Sequence, residues 1–269
     1  MATVVLLVGL WSQLERFFVF FPTAEVRYTP EDVGLAYEEV FFPTSDGHRL
    51  HGWYVPGNSD TTLLWFHGNG GNIGYRVEEL ALVHARLGVN VFIFDYRGYG
   101  KSEGSPSERG IYRDARAALA YLQTRPEFAS ETGPGQIVYF GRSLGAAVAI
   151  ELAADQPPAG LVLVAPFASL GEMARIAYPF LPLKWLLGNR YNSEARISQL
   201  HQPVLIMHGD QDEIVPLSQS EKLLKAANPP KSFQVLPGAG HNDTYSAAGN
   251  IYWDTLSEFL STLAAPPSR

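Results

Sequence analysis

The sequence predicts an α/β fold: a mostly parallel, eight-stranded sheet with helices on both faces and a small helical cap. Short, continuous apolar runs such as TTLLWF and QIVYF are typical of strands that are buried on both faces. Segments with helical spacing of apolar residues alternate with these runs. Glycine or polar residues follow most of the runs, as expected where strands end and loops begin.

The first two predicted strands form a hairpin over residues 38–55, where hydrophobic alternation surrounds Asp46-Gly47, a strong hairpin signal. A glycine at 88 ends the first predicted helix, and Ser107 is suited to cap the second. The remaining strands are predicted in TTLLWFHG, VNVFIFDYRG, QIVYFG, GLVLVAPF, PVLIMHG and SFQVLPG, and the helices in VEELALVHARLG, SERGIYRDARAALAYLQTR, AAVAIELAAD, SEKLLKAAN and YWDTLSEFLSTLAA.

The 269 residues suit one large domain, and the sequence has no internal repeat or low-complexity linker. We expect an N-terminal apolar or amphipathic segment at 1–25 and one α/β domain at 26–269, with a short cap at about 168–201. The apolar start is too short to span a bilayer and lacks the basic region of a signal peptide. Residues 1–22 could therefore lie on a membrane surface, or pack on this protein or on a second subunit. Both interpretations remain open, and we expect a cytoplasmic or peripherally membrane-associated protein.

Composition excludes several classes of function. A net charge of −7 with no basic run argues against nucleic acid as a partner. The absence of cysteine excludes disulfides, thiolate metal sites and cysteine nucleophiles. The stretches GYGKS and GNGGNIG resemble phosphate-binding and dinucleotide-binding loops, but their glycine spacing does not match either motif. We therefore predict no cofactor and no metal.

The pentapeptide GRSLG, residues 141–145, is the strongest candidate for chemistry. It lies between a predicted strand and a predicted helix, the setting in which a G-x-S-x-G motif raises a serine for nucleophilic attack. The two glycines leave room for the sharp bend, and the helix N-terminus behind Ser143 favours negative charge there. A serine in an ordinary turn is the alternative.

A nucleophilic serine needs a base and an acid that orients the base. His241, in the glycine-rich stretch GAGHND after the last strand, is the histidine best suited to reach Ser143. The stretch HGDQDEIVP offers the acid: we choose Asp212, with Asp210 as the second choice and capping as its other role. Asp243 lies too close to His241 in sequence to orient its ring and is expected to cap a loop or helix.

Negative charge on a reacting carbonyl oxygen needs preorganised N–H donors. The backbone N–H of Leu144, directly after the serine, is one candidate. The stretch HGNGG resembles the HG-rich loops of lipases and esterases, and there we choose the N–H of Asn69, with Gly70 next. A tight glycine turn without this role is the alternative.

From residue 38 to the end, the chain resembles the α/β-hydrolases. The resemblance rests on five motifs in order: HGNGGN, DYRGYGKSEG, GRSLG, HGDQDEIVP and GAGHND. Two stretches, WFHGNGGNIGYR and FDYRGYGKSEG, are similar to small serine hydrolases with a membrane-proximal N-terminal segment, among them protein depalmitoylases. The resemblance implies a Ser143–Asp212–His241 triad, an oxyanion hole at Asn69 and Leu144, and a pocket wall shaped by DYRGYGKSEG.

The predicted cap is small and apolar, which favours short-to-medium acyl esters. Its aromatic and aliphatic residues could line an acyl pocket or simply bury the cap. These candidates are Phe167, Tyr178, Phe180, Leu181, Leu183 and Trp185. We therefore expect a serine carboxylesterase. The alternatives are a membrane-proximal acyl-thioesterase, depalmitoylase or lipase and, least favoured because all three triad residue types are present, a non-catalytic binding protein.

Overall fold

An eight-stranded sheet is the centre of the fold in the computed structural model, which describes residues 18–128, 135–177, 180 and 190–264. Its strands lie in the order β1-β2-β4-β3-β5-β6-β7-β8, and β2 alone runs antiparallel to its neighbours within these residues. The mostly parallel, eight-stranded sheet predicted from sequence is confirmed. The strands are β1 (Glu38–Pro43), β2 (Arg49–Val55), β3 (Thr61–Phe66), β4 (Asn90–Phe94), β5 (Gln136–Arg142), β6 (Gly160–Val164), β7 (Val204–Gly209) and β8 (Lys231–Leu236).

Helices connect the strands and cover both faces of the sheet. The predicted hairpin is formed by β1 and β2, and its turn uses Gly47, whose φ of 87° suits a glycine. The α-helices are α1 (Val77–Leu87), α2 (Glu108–Gln123), α3 (Leu144–Asp155), α4 (Leu170–Ala177), α5 (Ser193–Ile197), α6 (Leu217–Ala226), α7 (Thr244–Ala247) and α8 (Asn250–Ala264).

The continuous apolar strands divide their side chains between two cores. Successive side chains of a strand point to opposite faces. In β3, Leu64 and Phe66 join the core beneath α2 and α3, whereas Leu63 and Trp65 join the core beneath α1 and α8. All four side chains are fully buried. Because both faces are covered, the strands carry apolar residues at every position instead of alternating.

The N-terminal arm, residues 18–25, packs against the body of the protein. Phe21–Pro22 pairs in parallel with Gly70–Gly71, in the loop after β3. Val19 and Phe20 are buried in the core, whereas Phe21 is 54% exposed. The described part of the N-terminal segment therefore packs on this protein, and residues 1–17 lie outside the described residues. Within the described ranges, no helix has the length and apolar character that a transmembrane span requires.

The predicted cap, residues 168–201, is described only in part. Helix α4 and helix α5 belong to it, and between them the structure describes only residues 180 and 190–192. Ala168 and Ile197 are fully buried, so both ends of the segment are anchored in the core.

The arm provides a test of the fold. Replacing Phe20 with alanine should lower the free energy of unfolding by about 3 kcal/mol, because a phenylalanine that is 2% exposed is removed from a packed core. Phe21→Ala, the matched control at the neighbouring exposed position, should change it by about 0.5 kcal/mol or less. Urea unfolding of both variants measures the difference. Equal stability of the two variants would mean that the arm does not pack as described.

Candidate active site

Ser143 lies at a sharp bend between β5 and α3. Its φ of 52° and ψ of −115° place a non-glycine residue in a left-handed conformation, which costs about 1–3 kcal/mol and is held by surrounding contacts. The Ser143 N–H donates to the carbonyl of Val164 on the neighbouring strand β6, at 2.9 Å. This bond ties the bend to the end of β6, beside the strand from which the serine emerges.

The glycines on either side of Ser143 are required by close contacts. A Cβ on Gly145 would lie 1.9 Å from the carbonyl oxygen of Phe66, at the end of β3. A Cβ on Gly141 would lie 2.6 Å from the Cα of Ala146. Helix α3 therefore begins close against the sheet, which explains the G-x-S-x-G spacing in physical terms.

Three side chains from separate loops form a continuous hydrogen-bonded row. The Nδ1 of His241 lies 2.6 Å from Oδ2 of Asp212, and its Nε2 lies 3.1 Å from Oγ of Ser143. Because a carboxylate can only accept, Nδ1 carries the proton and Nε2 is free to accept the serine proton. The structure thus brings together Ser143, His241 and Asp212 as the sequence predicts.

The Asp212 carboxylate is fully buried, and both of its oxygens accept hydrogen bonds. Its Oδ1 accepts the backbone N–H groups of Ile214 and Val215, at 2.9 and 2.7 Å. Its Oδ2 also lies 3.2 Å from Nε2 of His208. Burial alone would raise the pKa of Asp212, but the hydrogen bonds from His208 and His241 outweigh it and hold that pKa well below its usual range. The carboxylate therefore stays ionised beside His241.

The other candidate acids have structural roles. Asp210 accepts the N–H of Gly238 at 2.8 Å and joins the loops after β7 and β8. Asp243 accepts the N–H of Gly240 at 2.7 Å and precedes α7, which closes the loop that carries His241. The choice of Asp212 over Asp210 agrees with this geometry.

The loop after β3 lies beside the serine. Among the described residues, neither the Asn69 N–H nor the Leu144 N–H donates to a protein acceptor, and both residues line the cavity at Ser143. The Asn69 side chain points elsewhere, because its Nδ2 donates to the carbonyl of Val19 in the arm at 3.0 Å. Two backbone donors are therefore available at the cavity.

The stretch DYRGYGKSEG is not among the described residues that line the cavity, and it supports this loop from behind. The Tyr96 hydroxyl donates to the carbonyl of His67, and the Tyr99 hydroxyl donates to that of Asn69, at 3.0 and 2.8 Å. Asp95 accepts the N–H of Ile73 at 2.9 Å. The aromatic rings and the buried carboxylate fix the loop by hydrogen bonds that sequence motifs alone do not predict.

Sequence reasoning missed a second group of residues, centred on Arg142. This nearly buried guanidinium donates to Glu79 of α1 at 3.2 Å and to the backbone carbonyl of His241. Glu79 also accepts a hydrogen bond from Tyr252 of α8. The available signal was Arg142 itself, a charged residue in a motif of otherwise small and apolar residues. Its partners could not be identified from the sequence, because Glu79 and His241 are distant along the chain.

The cavity at Ser143 has a volume of about 300 Å³. Of the six predicted pocket residues, Phe167 lines it. Phe180 does not: its side chain is 96% exposed, so the prediction that it lines an acyl pocket is not supported. Tyr178, Leu181, Leu183 and Trp185 lie outside the described residues. The lining residues include Phe18, Val19, Gly68, Asn69, Gly70, Arg76, Arg142, Ser143, Leu144, Phe167, Leu170, Met173, Ile214, Val215, His241 and Asn242.

Across the described ranges, no group of three or more histidine or acidic side chains is arranged to hold a metal ion. His67 and His208, both at strand ends, are fully buried and hydrogen-bonded within the protein. Burial lowers the pKa of His67 to about 3, so its imidazole is neutral.

Comparison with known proteins agrees with the fold. Residues 57–194 match the serine aminopeptidase S33 family. The uncharacterized protein Rv2307c of Mycobacterium tuberculosis is 44% identical over 258 residues, covering 95% of this chain and 90% of that protein. The α/β-hydrolase domain-containing protein WAV2 of Arabidopsis thaliana is 38% identical, covering 88% and 82%.

A solved structure gives the same architecture. The esterase Pf2001 of Pyrococcus furiosus superposes with a TM-score of 0.76 at 24% identity, covering 91% of this chain and 98% of that one. At this identity, the likeness concerns the fold. The strand order, the family match and the extent of the similar relatives lead to one conclusion: this chain belongs to the α/β-hydrolase superfamily and is a hydrolase of that family.

Proposed function

We propose that this protein is a serine carboxylesterase that hydrolyses short-to-medium acyl esters through an acyl-enzyme intermediate. The observation that carries the proposal is the hydrogen-bonded row from Ser143 through His241 to Asp212, with distances of 3.1 and 2.6 Å. The row has the order serine, imidazole, carboxylate that nucleophilic catalysis by serine requires.

In the first step, Ser143 Oγ attacks the ester carbonyl while His241 Nε2 takes the serine proton. Asp212 holds the imidazole in the correct tautomer and stabilises its positive charge. The backbone N–H groups of Asn69 and Leu144 stabilise the oxygen that becomes negatively charged. His241 then gives its proton to the leaving alcohol, which leaves Ser143 acylated.

In the second step, His241 takes a proton from water, which attacks the acyl group. The tetrahedral intermediate collapses, the carboxylic acid leaves, and Ser143 Oγ recovers its proton from His241. Asp212 remains ionised throughout, because its two imidazole neighbours and two backbone N–H groups satisfy it.

The nucleophile is tested first. Ser143→Ala should abolish hydrolysis of 4-nitrophenyl esters of increasing chain length and should prevent labelling by a fluorophosphonate probe, because no other side chain occupies the end of the row. Mass spectrometry of the labelled wild-type protein should locate the adduct on Ser143. Unlabelled wild-type protein would favour the non-catalytic binding protein instead.

The acid is tested by a pair of matched substitutions. Asp212→Asn should lower kcat by roughly 10⁴-fold, because an amide cannot hold His241 in the required tautomer. Asp210→Asn, two residues away, should retain nearly full activity, since an amide oxygen can still accept the Gly238 N–H. Steady-state kinetics on one soluble ester measures both. Similar losses in the two variants would contradict the role of Asp212.

A second candidate function, hydrolysis of acyl thioesters or lipids at an interface, is supported by two side chains. Phe18 and Ile214 both line the cavity and are 60% and 58% exposed, so the cavity opens between apolar groups. Apolar side chains at a cavity mouth suit a substrate that is presented in a micelle or membrane.

Kinetics on two forms of substrate tests this candidate. If it holds, Phe18→Ser and Ile214→Ser should reduce hydrolysis of a micellar long-chain acyl thioester about tenfold more than hydrolysis of soluble 4-nitrophenyl butyrate. Tyr28→Ser, at a residue that is 57% exposed and away from the cavity, is the control. If the wild-type protein prefers the soluble ester and the variants show no selective loss, this second candidate is contradicted and the carboxylesterase proposal is retained.

A further inference from the structure

A guanidinium lines the cavity at Ser143 without a charged partner. Arg76 ends the short 3₁₀ helix Ile73–Arg76, and its Nη2 donates to the carbonyl of Gly70 at 2.8 Å. Its Nε is buried and has no hydrogen-bond partner. Among the residues that the structure describes, no carboxylate oxygen lies within 4.0 Å of its nitrogens. At least one of its five N–H donors is therefore buried without an acceptor.

Among the described residues, no neighbouring carboxylate is paired with Arg76. A second guanidinium, that of Arg142, lines the same cavity, and the nearby carboxylate of Glu79 is already paired with Arg142 and with the Tyr252 hydroxyl. Burial, and then the charge of Arg142, lower the pKa of Arg76, whereas Glu79, Tyr245 and Asp95 raise it without pairing with its nitrogens. This side of the cavity therefore carries excess positive charge.

The rest of the cavity lining is mostly apolar. Eight apolar residues are among the described residues that line it: Phe18, Val19, Leu144, Phe167, Leu170, Met173, Ile214 and Val215. A cavity with an apolar lining and one cationic region suits a molecule that has an apolar part and an anionic part.

We propose that Arg76 binds an anionic group of the substrate, so that the natural ester carries a carboxylate or a phosphate in addition to its reacting carbonyl. This inference rests on the proposed function. Arg76 is half-buried and its buried Nε lacks an acceptor, which is costly, and the N–H groups of a planar guanidinium match the oxygens of a carboxylate or phosphate in pairs. Binding the substrate supplies the missing partner at the place where the chemistry occurs.

Arg76 also supports the Gly70 carbonyl, and this structural role predicts a different result. A disturbed loop would slow every ester alike, because the backbone donor at Asn69 serves all of them. Loss of an anion-binding group slows only the esters that carry the anion. The ratio of activities on charged and uncharged esters therefore separates the two roles.

The experiment uses two matched pairs of substrates. Mono-4-nitrophenyl glutarate is compared with 4-nitrophenyl butyrate, and 1-butyrylglycerol 3-phosphate with 1-butyrylglycerol. The first pair places a carboxylate on the acyl part, and the second places a phosphate on the alcohol part. The variants are Arg76→Gln, which removes the charge, and Arg76→Lys, which keeps it. Arg86→Gln, at an exposed arginine of α1, is the control.

Arg76→Gln should lower kcat/KM for at least one anionic ester about 10- to 100-fold more than for its uncharged partner, as expected for a hydrogen bond to a charged group. Arg76→Lys should recover part of this loss, and Arg86→Gln should cause none. A selective loss in the glutarate pair alone identifies a carboxylate on the acyl part. A loss in the glycerol phosphate pair alone identifies a phosphate on the alcohol part.

Equal losses on charged and uncharged esters, or no loss on either, would overturn the inference while leaving the esterase proposal intact. Failure of the wild-type protein to hydrolyse any of the four esters, together with no fluorophosphonate label on Ser143, would overturn the proposed function and this inference with it.

Discussion

The site depends on the contact between the start of helix α3 and the end of strand β3. Gly145 lies so close to the Phe66 carbonyl that a side chain cannot fit between them. This contact forces the chain through the left-handed bend at Ser143. It also brings the serine beside the loop that leaves β3, where Gly68 and Asn69 lie. The candidate nucleophile and the candidate backbone donors are thus positioned by one packing constraint, which a larger residue at 145 would remove.

The electrostatics of the row follow from burial. Asp212 is enclosed, yet four donors satisfy its two oxygens, so it keeps its charge where an isolated carboxylate would take up a proton. His208 contributes from the end of β7, the strand that leads into the loop of Asp212. Its Nε2 faces the Val215 carbonyl as well as Asp212, which makes Nε2 the protonated nitrogen, and its Nδ1 can accept the hydroxyl proton of Ser220. This second imidazole donates to the carboxylate and helps to hold it in place.

The sequence predicted those features that depend on local pattern or on chain order. The strands could be recognised because two buried faces require continuous apolar residues, and Asp212 could be preferred to Asp210 because of its spacing after Gly209. Features that depend on packing between distant segments could not be recognised. The sequence of the arm at 18–25 is apolar but contains no signal for its pairing partner, and its backbone pairs with Gly70–Gly71. Phe180 is aromatic but 96% exposed, and nothing local indicates which aromatic residues of a cap face inward.

Buried polar groups explain how the loop after β3 keeps its shape. The Nδ1 of His67 lies 2.7 Å from the Gly68 carbonyl, and only a protonated Nδ1 can bond there. In a trans peptide the C=O and the following N–H point in opposite directions, so this bond turns the Asn69 N–H away from His67. The Asn69 carbonyl, in the next peptide, accepts both the Phe21 N–H of the arm and the Tyr99 hydroxyl. Two consecutive peptide planes are therefore fixed from behind, which leaves the Asn69 N–H available beside the serine before any substrate arrives. Preorganisation of this kind is what makes a backbone donor effective at a developing negative charge.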